Sequence, residues 1–428
     1  PQSRKRQSFV RAERHLPGDS CSPTAAAADL VRSWIRSEPH VELARIHTHR
    51  RKIRVYDRSG ASVGEVDDDE VTATVPLPVR FHEVEVEMDE TAHPHLVDAL
   101  VHRLRAAGAG TGDSSSKVAR VLGDRAKEPP DLPSPRPLGP DSTVADVVQA
   151  SVASGVERLL ANDPIIRTSD DPEGIHQARV ATRRLRSDLR TFRPVIDARW
   201  SEPLRAELKW LGEEIGRVRD ADVLLGLLQT KAADVPSDAR AAAQVLVGRL
   251  SKMRDRDRDA LLQAMASERY AKLLDRLVEG AAAPVMRHPD DATPARKAVG
   301  KLAGRPWKQL RKRVRRLGEE PSDTDLHEVR KRAKQARYAL EAIAPVAGRR
   351  AAEHGARIAE LQDVLGDLHD AVVAAGWLHD AARDTDDPDV AFTAGLMAAS
   401  FGADRLRLRA EWKPRWKRVV RRNRYRYA

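Results

Sequence analysis

Cysteine is almost absent from this chain. Cys21 stands alone among 428 residues, so no internal disulfide is available and the composition suits a reducing compartment. Aromatic residues are scarce at 4%, which leaves Leu, Val, Ile and Ala to build the cores. No run of 18 apolar residues occurs, and no charged, apolar, small-residue signal segment opens the chain. The expected location is therefore cytoplasmic, with no membrane partner. The long C-terminal part lacks a His-x3-His pair or a cysteine cluster, which argues against a metal centre there. Gly-rich RNA-binding signatures, zinc fingers and basic-plus-heptad patterns are missing as well.

Charge is what the chain has in quantity. Lys and Arg outnumber Asp and Glu by 75 to 64, a formal net charge of +11, and such a balance favours anionic partners. The excess is concentrated. From Arg405 to Arg426, eleven Lys or Arg accompany one acid, Glu411, so the rest of the chain is close to neutral and any other basic site must arise from local arrangement.

Composition breaks most sharply between Gly123 and Asp141, where six prolines fall among Gly, Asp and Ser. Proline removes a backbone donor and fixes φ, so this stretch reads as a semi-extended linker over 123–141. Before it, over 1–122, the pattern has period two. Arg45 to Tyr56 reads as a strand, Ser62 to Val66 as a short one, and Arg80 to Met88 as a third with Glu83, Glu85 and Glu87 on one face. His95 to Ala107 reads as a helix ended by Gly108. After the linker, over 142–428, the period becomes helical and no strand is expected. The fold class is mainly α, preceded by a smaller α+β piece.

The helical region repeats itself. Ile175-His176-Gln177-Ala178-Arg179 is followed by Arg183, Arg186 and Leu189; Leu326-His327-Glu328-Val329-Arg330 is followed by Lys334, Arg337 and Leu340. A second block follows each: Leu211, Gly216, Arg219, Asp220 and Ala221 match Leu361, Gly366, His369, Asp370 and Ala371. Two blocks in one order, 151 and 150 residues apart, indicate a duplication with halves of about 142–300 and 301–428. At 100° per residue, each His and its three cations fall on a stripe about 80° wide, and Arg190 extends the first. Such a stripe on one helix is usually a solvated face. Its recurrence, with a His at the same corner and few interleaved acids, points to an anion that offsets the repulsion. Asp220 and Asp370 are expected as structural partners of nearby Arg rather than as catalytic groups.

These residues resemble the CHAD family, named for its histidines and helical fold. The resemblance rests on the duplicated His-x2-Arg-x3-basic-x2-Arg helix, each copy followed by a Leu-x4-Gly-x3-Asp block, and covers roughly 142–428. It implies two pseudo-symmetric helical bundles facing across a basic channel that binds inorganic polyphosphate without a required cofactor. By position the channel would be lined by His176, Arg179, Arg183, Arg186, Arg190, His327, Arg330, Lys334 and Arg337. Association with polyphosphate granules is the corresponding location within the cytoplasm.

In the N-terminal piece, Arg50, Lys52 and Arg54 share a strand face. Glu65, the Asp67-Asp68-Asp69 run, the Glu strand, a helix and Ser116-Lys117 follow. Carboxylates two residues apart are suitable hard ligands for Mg²⁺ or Mn²⁺, although an ordinary acidic strand face reads the same way. The series resembles the C-terminal half of a CYTH domain, the triphosphate tunnel fold. That resemblance implies triphosphate binding by Arg50, Lys52 and Arg54, and metal binding by Glu83, Glu85 and Glu87. The family's opening Glu-x-Glu-x-Lys strand does not occur in the sequence, so hydrolysis of tripolyphosphate by this chain is not expected; a metal-dependent triphosphatase in a longer protein is the alternative. A further alternative is nucleic-acid binding through the tail, where Trp412, Trp416, Tyr425 and Tyr427 stand among Arg residues. Packed aromatics beside solvated Arg is the more ordinary reading of that segment.

Overall fold

The computed structural model describes residues 16, 22–89, 94–112, 115–288 and 293–421. Cys21, Tyr425, Tyr427 and the last three Arg of the basic tail lie outside them. The chain forms two compact units, one of residues 39–131 and one of residues 1–38 with 132–428. The protein is mainly helical, with a small antiparallel sheet preceding the helical domain in sequence.

Two short helices, α1 (Ala25–Leu30) and α2 (Arg32–Ile35), belong to the helical unit. Behind α2, the buried guanidinium of Arg36 lies 3.3 Å from Asp275. This differs from the expectation that all of 1–122 forms one region, because these residues spend their few buried groups on a helix far away in sequence.

The smaller unit holds β1 (Arg45–Tyr56), β2 (Ser62–Val75) and β3 (Val79–Met88) in the order β1-β2-β3, then α3 (Pro94–Ala106) and α4 (Lys117–Leu122). Strand β2 runs nine residues beyond the expected Val66. Four consecutive acids oppose strand formation by propensity, but the antiparallel register places a cation beside them. Arg50 stands opposite Asp69 and Lys52 opposite Asp67, while Glu83 and Glu85 flank the same two aspartates from β3. Pairing decides the strand here, not propensity.

The helical unit comprises α5 (Val144–Thr168), α6 (Pro172–Thr191), α7 (Ala198–Ala233), α8 (Arg240–Ala266), α9 (Glu268–Ala282), α10 (Ala295–Arg315), α11 (Asp323–Ala347), α12 (Arg349–Arg383) and α13 (Pro388–Arg421). Their starts follow from local chemistry. Thr143 with Asp146 and Ser322 with Asp325 form reciprocal capping boxes, and Asp171 caps α6 ahead of Pro172. The packing pairs α5·α6, α6·α7 and α7·α8 recur as α10·α11, α11·α12 and α12·α13, so the duplication is structural, with α9 added in the first half. At Gly155 a Cβ would lie 2.6 Å from the Leu185 side chain; the missing side chain lets α5 approach α6.

One large core joins both halves, from Val148 and Leu185 to Leu326 and Leu361. A second lies between the distal parts of α7 and α12 and the helices α8 and α13, around Leu228, Leu246, Leu378 and Phe401. The helices α7 and α12 serve both cores; at 36 and 35 residues each is about 50 Å long. The proline-rich stretch is not a free linker throughout. Arg136 N–H donates to Gln149 Oε1 (2.9 Å), its guanidinium meets Asp146 (2.8 Å), and Leu132 and Leu138 pack on the large core. Its later half is a strap on α5, held where proline leaves carbonyls and apolar side chains able to bond and pack.

Candidate functional site

The stripe helices α6 and α11 pack against one another, and a four-member ion network ties them. Arg184 on α6 pairs with Asp188 (3.1 Å) and reaches across to Glu341 on α11, which also takes Arg337 at 3.4 Å. Burial pushes the Asp188 carboxyl up to about 7, opposed by Arg184. The network breaks the pseudo-symmetry. Fourteen residues after the His, the first copy has Arg190 and the second Glu341. Glu341 draws Arg337 away, so Arg337 does not line the cavity, unlike its counterpart Arg186.

Between the stripes and the two long helices lies a cavity of about 880 Å³. His176, Arg179, Arg183, Arg186, Arg190, His327, Arg330 and Lys334 all line it. Arg205 and Arg219 from α7, Lys331 from α11, and His369 and Asp370 from α12 also line it, with Asp220, Asp363 and Asp367. Lys331 was legible, since offset 4 from the His stays on the stripe's face. Arg205 carries no signal of its own; only tertiary packing of α7 brings it in.

The wall counts nine Lys or Arg against four Asp. Among the described residues, none of the ion pairs within 4.0 Å involves Arg183, Arg186, Arg190 or Lys334. Nε of Arg183 is buried with no hydrogen-bond partner among those residues. Burial lowers the pKa of Arg179, Arg186, Arg190 and Arg330, and nearby guanidinium groups lower it further. Lys334 falls furthest among the cations, to about 7, through burial and then the charges of Arg183 and Arg330. His176 and His327 are lowered by burial first and by neighbouring cations second. His369, whose ring centroid lies 4.1 Å from that of His327, drops to about 4 for the same reasons. Cations from both halves thus crowd one partly buried space, an arrangement that stores repulsion until an anion enters.

The glycine of the second repeated block has a local role. Arg179 lies against α7, donating to the Gly212 carbonyl, and a Cβ at Gly216 would lie 2.9 Å from its guanidinium. At the matching Gly366 the Arg330 guanidinium is 3.7 Å away. Glycine at 216 lets Arg179 lie along the neighbouring helix, whereas at 366 Arg330 leaves room for a side-chain carbon. Asp370 stands 4.0 Å from Arg330, in line with a structural partnership.

The smaller unit brings its strand cations and carboxylates together differently. Asp67 and Asp69 are fully buried; Arg50 meets Asp67 (2.5 Å), Asp69 (2.7 Å) and Glu85 (3.2 Å), and Lys52 meets Glu65 (2.6 Å). Glu83, Glu85 and Glu87 do not form one metal set. Glu83 and Glu85 group with Asp69, whereas Glu87 groups with Glu65 and Asp67. These hard oxygen donors suit a divalent cation, yet the Lys117 ammonium lies 2.8 Å from both Asp69 and Glu83 and 3.5 Å from Glu85. Arg54 faces Glu65 in register but forms no ion pair among the described residues.

The described part of the basic tail is neither a free surface nor merely solvated. Arg405 and Arg409 pair with Asp323, Arg415 with Glu360, and Lys413 donates to the Glu319 carbonyl. Trp412 is buried, and Trp416 packs against Trp307 with ring centroids 5.9 Å apart. No described helix is long and apolar enough to cross a membrane.

A duplicated helical domain with facing basic stripes is the class of protein that the fold and cavity define. The chain belongs to the CHAD domain family, whose sequence profile matches residues 150–379. Two proteins of Mycobacterium tuberculosis, uncharacterized protein Rv2226 of strain H37Rv and uncharacterized protein MT2285 of strain CDC 1551, are each 30% identical over 425 residues. The match covers 93% of this chain and 78% of each relative. PptA from Streptomyces chartreusis shares the fold at TM-score 0.55 and 23% identity, over 64% of this chain and 100% of that one. The CHAD domain from the plant Ricinus communis does so at TM-score 0.56 and 25% identity, over 68% and 96%.

Proposed function

We propose that this protein binds inorganic polyphosphate in the cavity between its two helical halves. The observation that carries this reading is the convergence of Arg183, Arg186, Arg190 and Lys334, without carboxylate partners among the described residues, in one cavity. A polymer with a charge at every unit meets several of these groups at once and releases several counterions, as nucleic-acid backbones do. The cavity has the chemistry for phosphate but not for bases. Its one aromatic wall residue apart from histidine, Tyr338, is buried beneath Arg183 and Arg337 and offers no exposed face for stacking. Competition between polyphosphate and single-stranded DNA at physiological salt tests the choice. Polyphosphate should displace a fluorescent DNA oligonucleotide at a charge concentration at least about tenfold below that for the reverse exchange; equal potency would favour diffuse electrostatics.

Gly216→Ala gives a second measure of the same site. The added methyl must push the Arg179 guanidinium aside, so polyphosphate affinity should fall about three- to tenfold. Thermal stability should hold or rise, since Ala favours a helix over Gly by about 1 kcal/mol. Gly366→Ala, where the guanidinium is already at contact distance, should change affinity little. Similar losses in both would remove the seating role assigned to Gly216.

For residues 39–131 the reading as half of a triphosphate tunnel is supported by the three-row face of Arg50, Lys52 and Arg54 against two rows of carboxylates. A divalent ion at Asp69, Glu83 and Glu85 would have to displace the Lys117 ammonium. This makes Mg²⁺ or Mn²⁺ a weaker proposal than polyphosphate in the helical unit.

A further inference from the structure

A second cavity, of about 500 Å³, opens between the C-terminal end of α6 and helix α10. It shares Ser187, Arg190 and Gln335 with the main cavity, so the two spaces adjoin along one wall. Arg193, Arg287, Lys301 and Arg305 line the remainder, and no Asp or Glu does. Arg193 has a partner, Glu202, at 3.1 Å. Among the described residues Arg287, Lys301 and Arg305 have no carboxylate within 4.0 Å. Arg305 is close enough to Arg190 to help lower its pKa, behind burial and the charges of Arg332 and Arg205. Neither Arg287 nor the α10 cations belong to the duplicated stripes. They extend the basic lining of the main cavity past the C-terminal end of α6.

We infer that this second cavity is a further phosphate-binding segment, which takes the part of an extended polyphosphate chain leaving the main cavity at Arg190. The inference rests on the polyphosphate reading above and adds a direction and a length requirement to it. A short oligophosphate satisfies the main cavity alone, whereas only a long chain occupies both. Arg190 stands at the junction, with Ser187, Thr191 and Gln309 supplying neutral donors beside the cations. Chain-length preference would then come from geometry, because each added phosphate meets a fixed cation only while the path lasts.

The test is titration calorimetry with tripolyphosphate and with a long-chain polyphosphate preparation. It compares the whole chain with the variant Arg287→Ala/Lys301→Ala/Arg305→Ala. All three side chains are exposed, so the variant should keep its melting temperature. Its affinity for the long chain should fall about tenfold, while that for tripolyphosphate should move by less than about twofold. The salt slope for the long chain should drop by about two, by analogy with phosphate contacts in nucleic acids. Lys417→Ala/Arg418→Ala/Arg421→Ala removes the same charge elsewhere and serves as the control. If the wild type binds both phosphates and the variant keeps its long-chain affinity, or loses no more than the control, the second segment is refuted and the main cavity stands. Equal losses for the long and the short phosphate would also overturn it. Should the wild type bind neither phosphate, the polyphosphate reading fails and this inference falls with it.

Discussion

Replacing Arg183, Arg186 and Lys334 together by Ala is expected to weaken polyphosphate binding by about 100-fold or more, roughly 2.7 kcal/mol. These three come from both halves, line one cavity and have no ion pair among the described residues, so a bound polyanion supplies what neutralises them. Their truncation should also flatten the salt dependence, since fewer counterions are released. Taking Lys417, Arg418 and Arg421 to Ala removes equal formal charge from an exposed helix end, where screening beyond about 8 to 10 Å makes each cation contribute little. That variant should lose less than about threefold. Arg337→Ala adds a sharper control. It belongs to the same sequence stripe as Lys334, but Glu341 holds it outside the cavity, so it should matter through packing and not through charge. Because the cavity cations repel one another, the triple variant should melt no lower than the wild type; a lower melting point with lost helicity would assign the effect to unfolding. If the tail variant lost as much affinity as the triple variant, the cavity would not be the binding site.

Arg337 also shows where reading the sequence stopped short. Offsets from His176 and His327 placed eight of the nine stripe residues on the cavity wall, because a 3.6-residue period fixes which side chains share a face. The ninth depends on whether position 14 carries Arg190 or Glu341, and so on a partner across the helix pair rather than on the stripe. The strands followed the same division. Alternation located β1 and β3 within one residue, while the Asp67 to Glu70 continuation of β2 depends on Arg50, Lys52 and Lys117 arriving from elsewhere. Local periodicity was legible in β1, β3 and the two stripe helices. Arg205, the cations of α10 and the strap over α5 were not, since each is decided by packing between segments and not by a periodicity within one.

Polyphosphate affinity should fall as pH rises from 7 to about 8.5, by roughly tenfold, and Lys334 should account for most of the change. Burial and the charges of Arg183, Arg330 and Arg179, partly offset by Asp370, bring its pKa to about 7 in the ligand-free protein. A bound polyanion favours the ammonium form and raises that value, so binding takes up a proton wherever free Lys334 is neutral. Lys334→Arg keeps its charge throughout this range and should abolish the alkaline decline while retaining affinity at pH 7. His176 and His327, lowered from their ordinary value, contribute on the acid side. Changing both to Gln should flatten only the part of the profile below about pH 6.5. Stability of the ligand-free protein has the opposite slope. An unfolded lysine holds its proton to about pH 10.4, whereas folded Lys334 releases it near 7. The unfolded state therefore binds more protons between these values, and ligand-free stability rises with pH across that window. Lys334→Met should remove the rise and increase the melting temperature at pH 7 by a few degrees, while weakening polyphosphate binding. Differential scanning fluorimetry with and without polyphosphate reads both slopes from one protein preparation. If Lys334→Arg kept the wild-type alkaline decline, another group would carry the proton and Lys334 would be a passive wall residue.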